Sequence, residues 1–138
     1  MLIAKNTIDV RYAETDQMGV VYHANYLVWM ELGRTKLSEE SGYRYAEMEA
    51  AGVFCPVVDL RISYKKPLRY GEQAIVKTWI EAYNGIRLTY GYEIYTSKDE
   101  LAIVAFSEHI CVLKDNFRPV SIKKKFPEWH AVYEQIKK

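Results

Sequence analysis

The stretch RYAETDQMGVVYHANYLVWMELGR, residues 11–34, is two kinds of sequence joined at Asn25. Beyond Asn25, Tyr26, Met30, Gly33 and Leu37 recur at steps of four, three and four, the period of an α-helix that buries one face. Asn25 suits the N-cap and Gly42 the C-terminal stop, which predicts a helix over 25–41. Trp29 and Leu32 widen the apolar stripe, so this helix is expected to be covered around much of its circumference. Ahead of it, the polar run AETDQMG reads as a turn, and LIAKNTIDVRY at 2–12 begins as a β-prone segment.

After Gly42 a short helix, RYAEMEAAG, ends at Gly52, and the period then falls to two. Val58, Leu60, Ile62 and Tyr64 alternate with Asp59, Arg61, Ser63 and Lys65, a strand with one wet face closed by Pro67 and Gly71. Ala74, Val76, Thr78 and Ile80 alternate in the next strand. Asn84-Gly85 is a two-residue hairpin signal in which both residues tolerate positive φ. Ile86, Leu88, Tyr90, Tyr92 and Ile94 form the following strand face, and LAIVAFSEHICVL is a further strand, apolar enough for a central place. These three make an antiparallel meander. Pro127 sits at the N1 position of a terminal helix, FPEWHAVYEQIKK. One long, largely buried helix and a strongly curved antiparallel sheet satisfy each other if the sheet wraps the helix. The predicted class is α+β, about five strands and a central helix in one domain over 1–138.

Composition narrows the partners. The 19 Lys+Arg and 18 Asp+Glu nearly cancel, so no global field points to nucleic acid. Cys55 and Cys111 lack C-x-x-C spacing and read as reduced cytosolic thiols rather than a disulfide. Lys5 interrupts the N-terminal apolar run too early for a signal peptide, and no stretch approaches the roughly 18 apolar residues of a membrane span. A cytoplasmic location is the expectation. The 12 tyrosines and 3 tryptophans favour amphipathic sheet over helical bundle. His23, His109 and His130 lie far apart, no Cys/His group has metal-ligand spacing, and the G-x-S-x-G, phosphate-loop and H-E-x-x-H signatures are absent, so no metal or cofactor is expected.

What remains is the acid-to-helix segment. An aspartate side chain is a carboxylate at neutral pH, so Asp16 is a candidate base or nucleophile. Gly19 permits a tight turn or close approach of a substrate to the backbone. Tyr22 and His23 precede Asn25, which puts their amides in the unpaired, electropositive first turn of the helix. A carbonyl oxygen on the His23 amide would be polarised, and a facing carboxylate could attack its carbon or direct water to it. The His23 side chain could exchange protons or hold substrate. The same residues also serve elsewhere as turn and capping groups, so spacing alone reaches an anion or carbonyl site at a helix N-terminus.

YAETDQMGVVYHANYLVWME closely resembles the signature of the 4-hydroxybenzoyl-CoA thioesterase family, in particular its Tol-Pal-associated acyl-CoA thioesterase branch. ISYKKPLRYGE, residues 62–72, resembles that family's strand-to-loop segment. The resemblance implies the hotdog fold, a sheet wrapped on a central helix. It implies Asp16 as the catalytic carboxylate, the His23 amide as oxyanion donor, Tyr22 and His23 as the branch's Y-H pair, and Tyr12 as an assisting hydroxyl. It further implies hydrolysis of an acyl-CoA or acyl-carrier-protein thioester by a homodimer, often paired into a tetramer, with the site between protomers. A thiolate leaves more readily than an alkoxide, so a carboxylate and an oxyanion hole suffice. Lys65 and Lys66, the SIKKKF run at 121–126 and Arg87 are candidates for CoA phosphates, although lysine-rich segments are commonly plain solvated surface. Glu31 and Arg34 are read as a local helix pair. A hotdog hydratase or dehydratase and a non-catalytic acyl-CoA or acyl-carrier-protein binding module are the alternatives; the acyl group is left open.

Overall fold

In the computed structural model, which describes residues 1–138, helix α1 spans Tyr26–Ser41 and buries Tyr26, Trp29, Met30, Gly33 and Leu37. Gly33 is the point of closest approach to the sheet: a Cβ there would stand 2.2 Å from Thr78 Oγ1 and 3.3 Å from Val76 Cγ1. Leu32, expected in the buried stripe, is 46% exposed. At about 100° per residue it lies roughly 120° around the helix from the buried face. Asn25 does not cap α1 with its side chain. A 3₁₀ turn, His23–Asn25, runs straight into the helix, and Asn25 Nδ2 instead donates to the carbonyl of Glu14 at 2.7 Å. Gly42 ends the helix in the left-handed conformation, φ 86°, its amide reaching back to the carbonyls of Ser38 and Glu39.

Strand β1 (Ala4–Asp9) precedes α1, and helix α2 (Tyr45–Ala50) follows it. Then come β2 (Val53–Phe54), β3 (Val57–Tyr64), β4 (Gln73–Tyr83), β5 (Arg87–Thr96), β6 (Leu101–Ile110) and β7 (Val112–Leu113). The five long strands form one antiparallel sheet in the order β1-β4-β5-β6-β3, and the short β2 and β7 pair separately. Ala74, Val76, Thr78 and Ile80 of β4 alternate inward, then an irregularity between Ile80 and Ala82 shifts the phase so that Tyr83 is buried. In the β4–β5 turn positive φ falls on Gly85 alone, at 94°, so the two-residue loop is Gly85-Ile86 rather than Asn84-Gly85. Asn84 Oδ1 closes the turn by accepting from the amides of Ile86 and Arg87.

Strand β3 departs from its predicted single wet face. It pairs only with β6, and apart from half-buried Ile62 every residue is exposed, including Val57, Val58, Leu60 and Tyr64. Nothing in the chain covers it, because it is the edge of the sheet. Helices α3 (Ile122–Lys125) and α4 (Pro127–Ile136) close the chain, α4 starting at Pro127 and burying Trp129 and Tyr133. One core cluster of 25 buried residues joins α1, the concave sheet face and α4. The Cys55 and Cys111 sulfurs, free thiols, touch at 3.2 Å. A sheet curved around one central helix is the hotdog fold.

Candidate active site

Glu14 organises the segment that carries the candidate chemistry, and sequence reasoning passed over it. The residue is 5% exposed; Oε1 accepts the Arg11 amide at 2.9 Å and Oε2 the Trp29 indole at 2.7 Å. Its carbonyl accepts the amide of Tyr22 at 2.9 Å besides the Asn25 side chain. Burial pulls the Glu14 pKa upward, but the Arg11 amide, the Trp29 indole and the Arg11 guanidinium outweigh it and hold the carboxyl below the usual range. One residue, through its carboxylate (11 and 29) and its carbonyl (22 and 25), therefore ties these four positions together, and the loop 15–21 is held at both ends.

Within that loop Thr15 and Val21 form a bridge, and the Val21 amide donates to Leu68 at 2.8 Å, docking the loop beside Lys65–Leu68. The Asp16 amide donates to Val20 at 2.9 Å and the Gly19 amide returns to Asp16 at 2.9 Å. Gly19 takes φ 78°, which suits glycine to the turn, and a Cβ there would meet no atom of the chain within 4 Å. Asp16 Oδ1 accepts the Met18 amide at 2.8 Å, while Oδ2 has no partner in the chain. The turn thus uses one oxygen of the carboxylate and leaves the other free.

The amide of His23 is the first of the 3₁₀ turn and has no acceptor in the chain. Tyr64 donates its hydroxyl to the His23 carbonyl at 3.0 Å, fixing that turn from the edge of the sheet. A cavity of about 290 Å³ opens here, lined by Asp16, His23, Tyr26, Tyr64, Lys65 and Lys66 among others. Four predicted residues, Asp16, His23, Lys65 and Lys66, are therefore brought together. Lys66 also reaches Glu100.

The other predicted residues lie outside this cavity. Tyr22 stacks at 4.4 Å on the His23 ring at its margin. Tyr12 is 77% exposed, edge-on to Tyr70. Arg87 starts β5, paired at 2.7 Å with Glu108, and the 121–126 run forms α3, capped by Ser121. Tyr64 went unnoticed because it reads as the last apolar residue of an alternating strand. A larger cavity, about 560 Å³, lies at the opposite end of β3, beside Val57, and holds none of the predicted catalytic residues. Arg34 lines it without pairing to Glu31, donating instead to the Tyr92 hydroxyl at 3.0 Å.

Asp16, with one carboxylate oxygen unpartnered, and His23, whose helix-start amide is free, thus line one cavity. Residues 10–130 match the thioesterase-like superfamily, and the chain belongs to that superfamily. It is 60% identical over 138 residues to the putative acyl-CoA thioesterase YneP of Bacillus subtilis (strain 168), covering 100% of both chains. It superposes on the DHNA-CoA thioesterase of Staphylococcus aureus with a TM-score of 0.95 at 44% identity, covering 98% of this chain and 91% of that one. It is also 27% identical over 125 residues to the acyl-CoA thioester hydrolase YbgC of Escherichia coli O6:H1, covering 88% of this chain and 93% of that one.

Proposed function

We propose that this chain hydrolyses acyl-CoA thioesters, R–CO–S–CoA plus water giving the free acid and the CoA thiol, with Asp16 as the reacting carboxylate. The observation that carries the assignment is that Asp16 Oδ2 is unpartnered and shares a cavity with His23, whose amide is free. The thioester oxygen rests on the His23 amide, which stabilises the negative charge that develops there. Asp16 either adds to the carbonyl carbon, expelling thiolate and leaving a mixed anhydride that water cleaves, or takes a proton from the water that adds. Lys65 is the cation placed for the CoA phosphates, with Lys66 beside it. The His23 ring and the Tyr12 hydroxyl are assisting groups at most.

The density of motif residues over 11–34 supports a place in the 4-hydroxybenzoyl-CoA thioesterase family, near its Tol-Pal-associated branch. A DHNA-type aromatic acyl group is favoured by the likeness to the Staphylococcus aureus enzyme. The absence of any helix long and apolar enough to cross a membrane fits a cytoplasmic substrate pool. The exposed apolar residues of β3, together with Leu27, Val28 and Leu32 of α1, favour a two-fold dimer formed along that edge, itself able to pair into a tetramer. An antiparallel two-fold pairing sets the Val57 end of one β3 against the Tyr64 end of the other, so the larger cavity of one protomer adjoins the Asp16 site of its partner.

Asp16→Asn tests the assignment cleanly, because asparagine keeps an oxygen for the Met18 amide. With an acyl-CoA panel and a thiol reagent, kcat is expected to fall by about two orders of magnitude or more with the melting temperature nearly unchanged. A folded variant turning over at the wild-type rate removes Asp16 from the mechanism.

A further inference from the structure

The larger cavity has an exposed rim that carries three carboxylates and one cation, Arg44, and a second, half-buried cation, Arg34. Glu31, Glu39 and Glu49 line the rim and are exposed, whereas Arg34 is half-buried and Tyr90 and His109 are buried. No carboxylate lies within 4.0 Å of the Arg34 guanidinium. Of its five N–H donors, one bond is made inside the chain, to Tyr92.

That bond starts a buried relay. The Tyr92 hydroxyl lies 2.7 Å from Ser107 Oγ, Ser107 Oγ lies 2.8 Å from His109 Nε2, and His109 Nδ1 lies 2.9 Å from the carbonyl oxygen of Cys55. The direction of every proton follows from the two ends. A carbonyl only accepts, so Nδ1 carries the hydrogen; burial pulls the His109 pKa down to about 4, so at neutral pH Nε2 accepts. Ser107 then donates to His109, Tyr92 donates to Ser107, and the Tyr92 oxygen is left to accept from Arg34. Reversing any member would set two donors or two acceptors facing each other at a buried site. The relay thus holds one nitrogen of the guanidinium, and the other donors of this cavity-lining residue have no acceptor in the chain.

We propose that Arg34 is a specificity-determining residue that binds an acceptor oxygen, hydroxyl or carboxylate, at the far end of the acyl group, with Tyr92, Ser107 and His109 as its positioning residues. The inference rests on the thioesterase reading and on the pairing along β3, since the cavity and Asp16 of one chain stand about 23 Å apart along seven residue steps of β3. The acyl group extends from Asp16 of one protomer into the cavity of the other. The exposed glutamates at the rim favour a hydroxyl, and the half-buried cation favours a carboxylate; both present the same acceptor to Arg34.

The test measures kcat/KM on the full chain with two matched pairs, 4-hydroxybenzoyl-CoA against benzoyl-CoA and adipoyl-CoA against hexanoyl-CoA. The wild type is expected to favour the oxygenated member of at least one pair by about tenfold or more, the size of a hydrogen bond to a charged group. Which pair responds separates hydroxyl from carboxylate. Arg34→Gln is expected to abolish that preference chiefly through KM, leaving the bare partner within about twofold of wild type. Ser107→Ala, which cuts the relay away from the cavity, moves the same ratio in the same direction by a smaller factor, and Arg34→Lys restores part of it. Equal losses on both members of a pair, or a wild type indifferent within both pairs, overturn the proposal and assign Arg34 to packing. A wild type that hydrolyses none of the four overturns the thioesterase reading, and this inference with it.

Discussion

Glu14 is a carboxylate nearly out of water, and it accepts two donors with its side chain and two more with its carbonyl. Removing its charge leaves an amide facing donors. Glu14→Gln is therefore expected to cost about 1–3 kcal/mol, read as a lower melting temperature at pH 7. The pH dependence has a definite sign. A carboxyl whose folded pKa is depressed contributes its full stability above the ordinary carboxylate range and loses it as pH falls through the folded value. The gap between wild type and variant should thus narrow in melts taken well below pH 4 or so; a gap constant with pH would show that ionisation of Glu14 plays no part. Asp16 could be singled out as a candidate in the sequence because an acid, a glycine and a Y-H pair precede a helix at fixed spacing. Glu14 was not, because a glutamate in a polar turn looks solvated until Trp29 is known to fold back over it.

Among the elements, α1 shows most clearly what periodicity can and cannot reach. The steps Tyr26, Met30, Gly33, Leu37 named its buried face correctly. They could not say why a glycine belongs there, since the reason is the Thr78 hydroxyl on another element. That hydroxyl is buried with no hydrogen-bond partner. Gly33→Ala gains about 1 kcal/mol of helix propensity but forces a methyl group into occupied space, which costs about 1–3 kcal/mol or more. The expected outcome is a destabilised protein by chemical denaturation, partly rescued when Thr78→Ala is added; additive effects of the two changes would deny the contact. The hairpin shows a similar limit. Asn-Gly marked the right place, but the Asn84 side chain acts as a turn acceptor, so the loop moved on by one residue.

At the scale of the molecule, alternation in β3 promised one wet face, and the sheet order exposes both. A strand pattern cannot tell an edge that faces water from an edge that faces a second copy. Val58 and Leu60 line neither cavity, so lysine at both positions changes the edge without touching either site. On the proposed pairing along β3, the double variant is expected to sediment at half the mass of the wild-type assembly and to lose thioesterase activity. A variant still dimeric and fully active would place the interface elsewhere. The meander and its place beside the helix were readable from the sequence, whereas the large cavity was not, because its floor gathers Arg34, Tyr90, His109 and Tyr133 from four separate elements.

The strand order also sets a sequence in time. β4, β5 and β6 are joined by short turns and can pair as soon as they exist, whereas Ala4 of β1 must wait for Thr78 and Val57 of β3 for His109. Closing those long loops is the slow part of assembly. During synthesis β1 leaves the ribosome first and has no strand to join until β4 follows it. The Asp16 loop hangs between β1 and α1, so its carboxylate takes its position only after the rest of the sheet has formed.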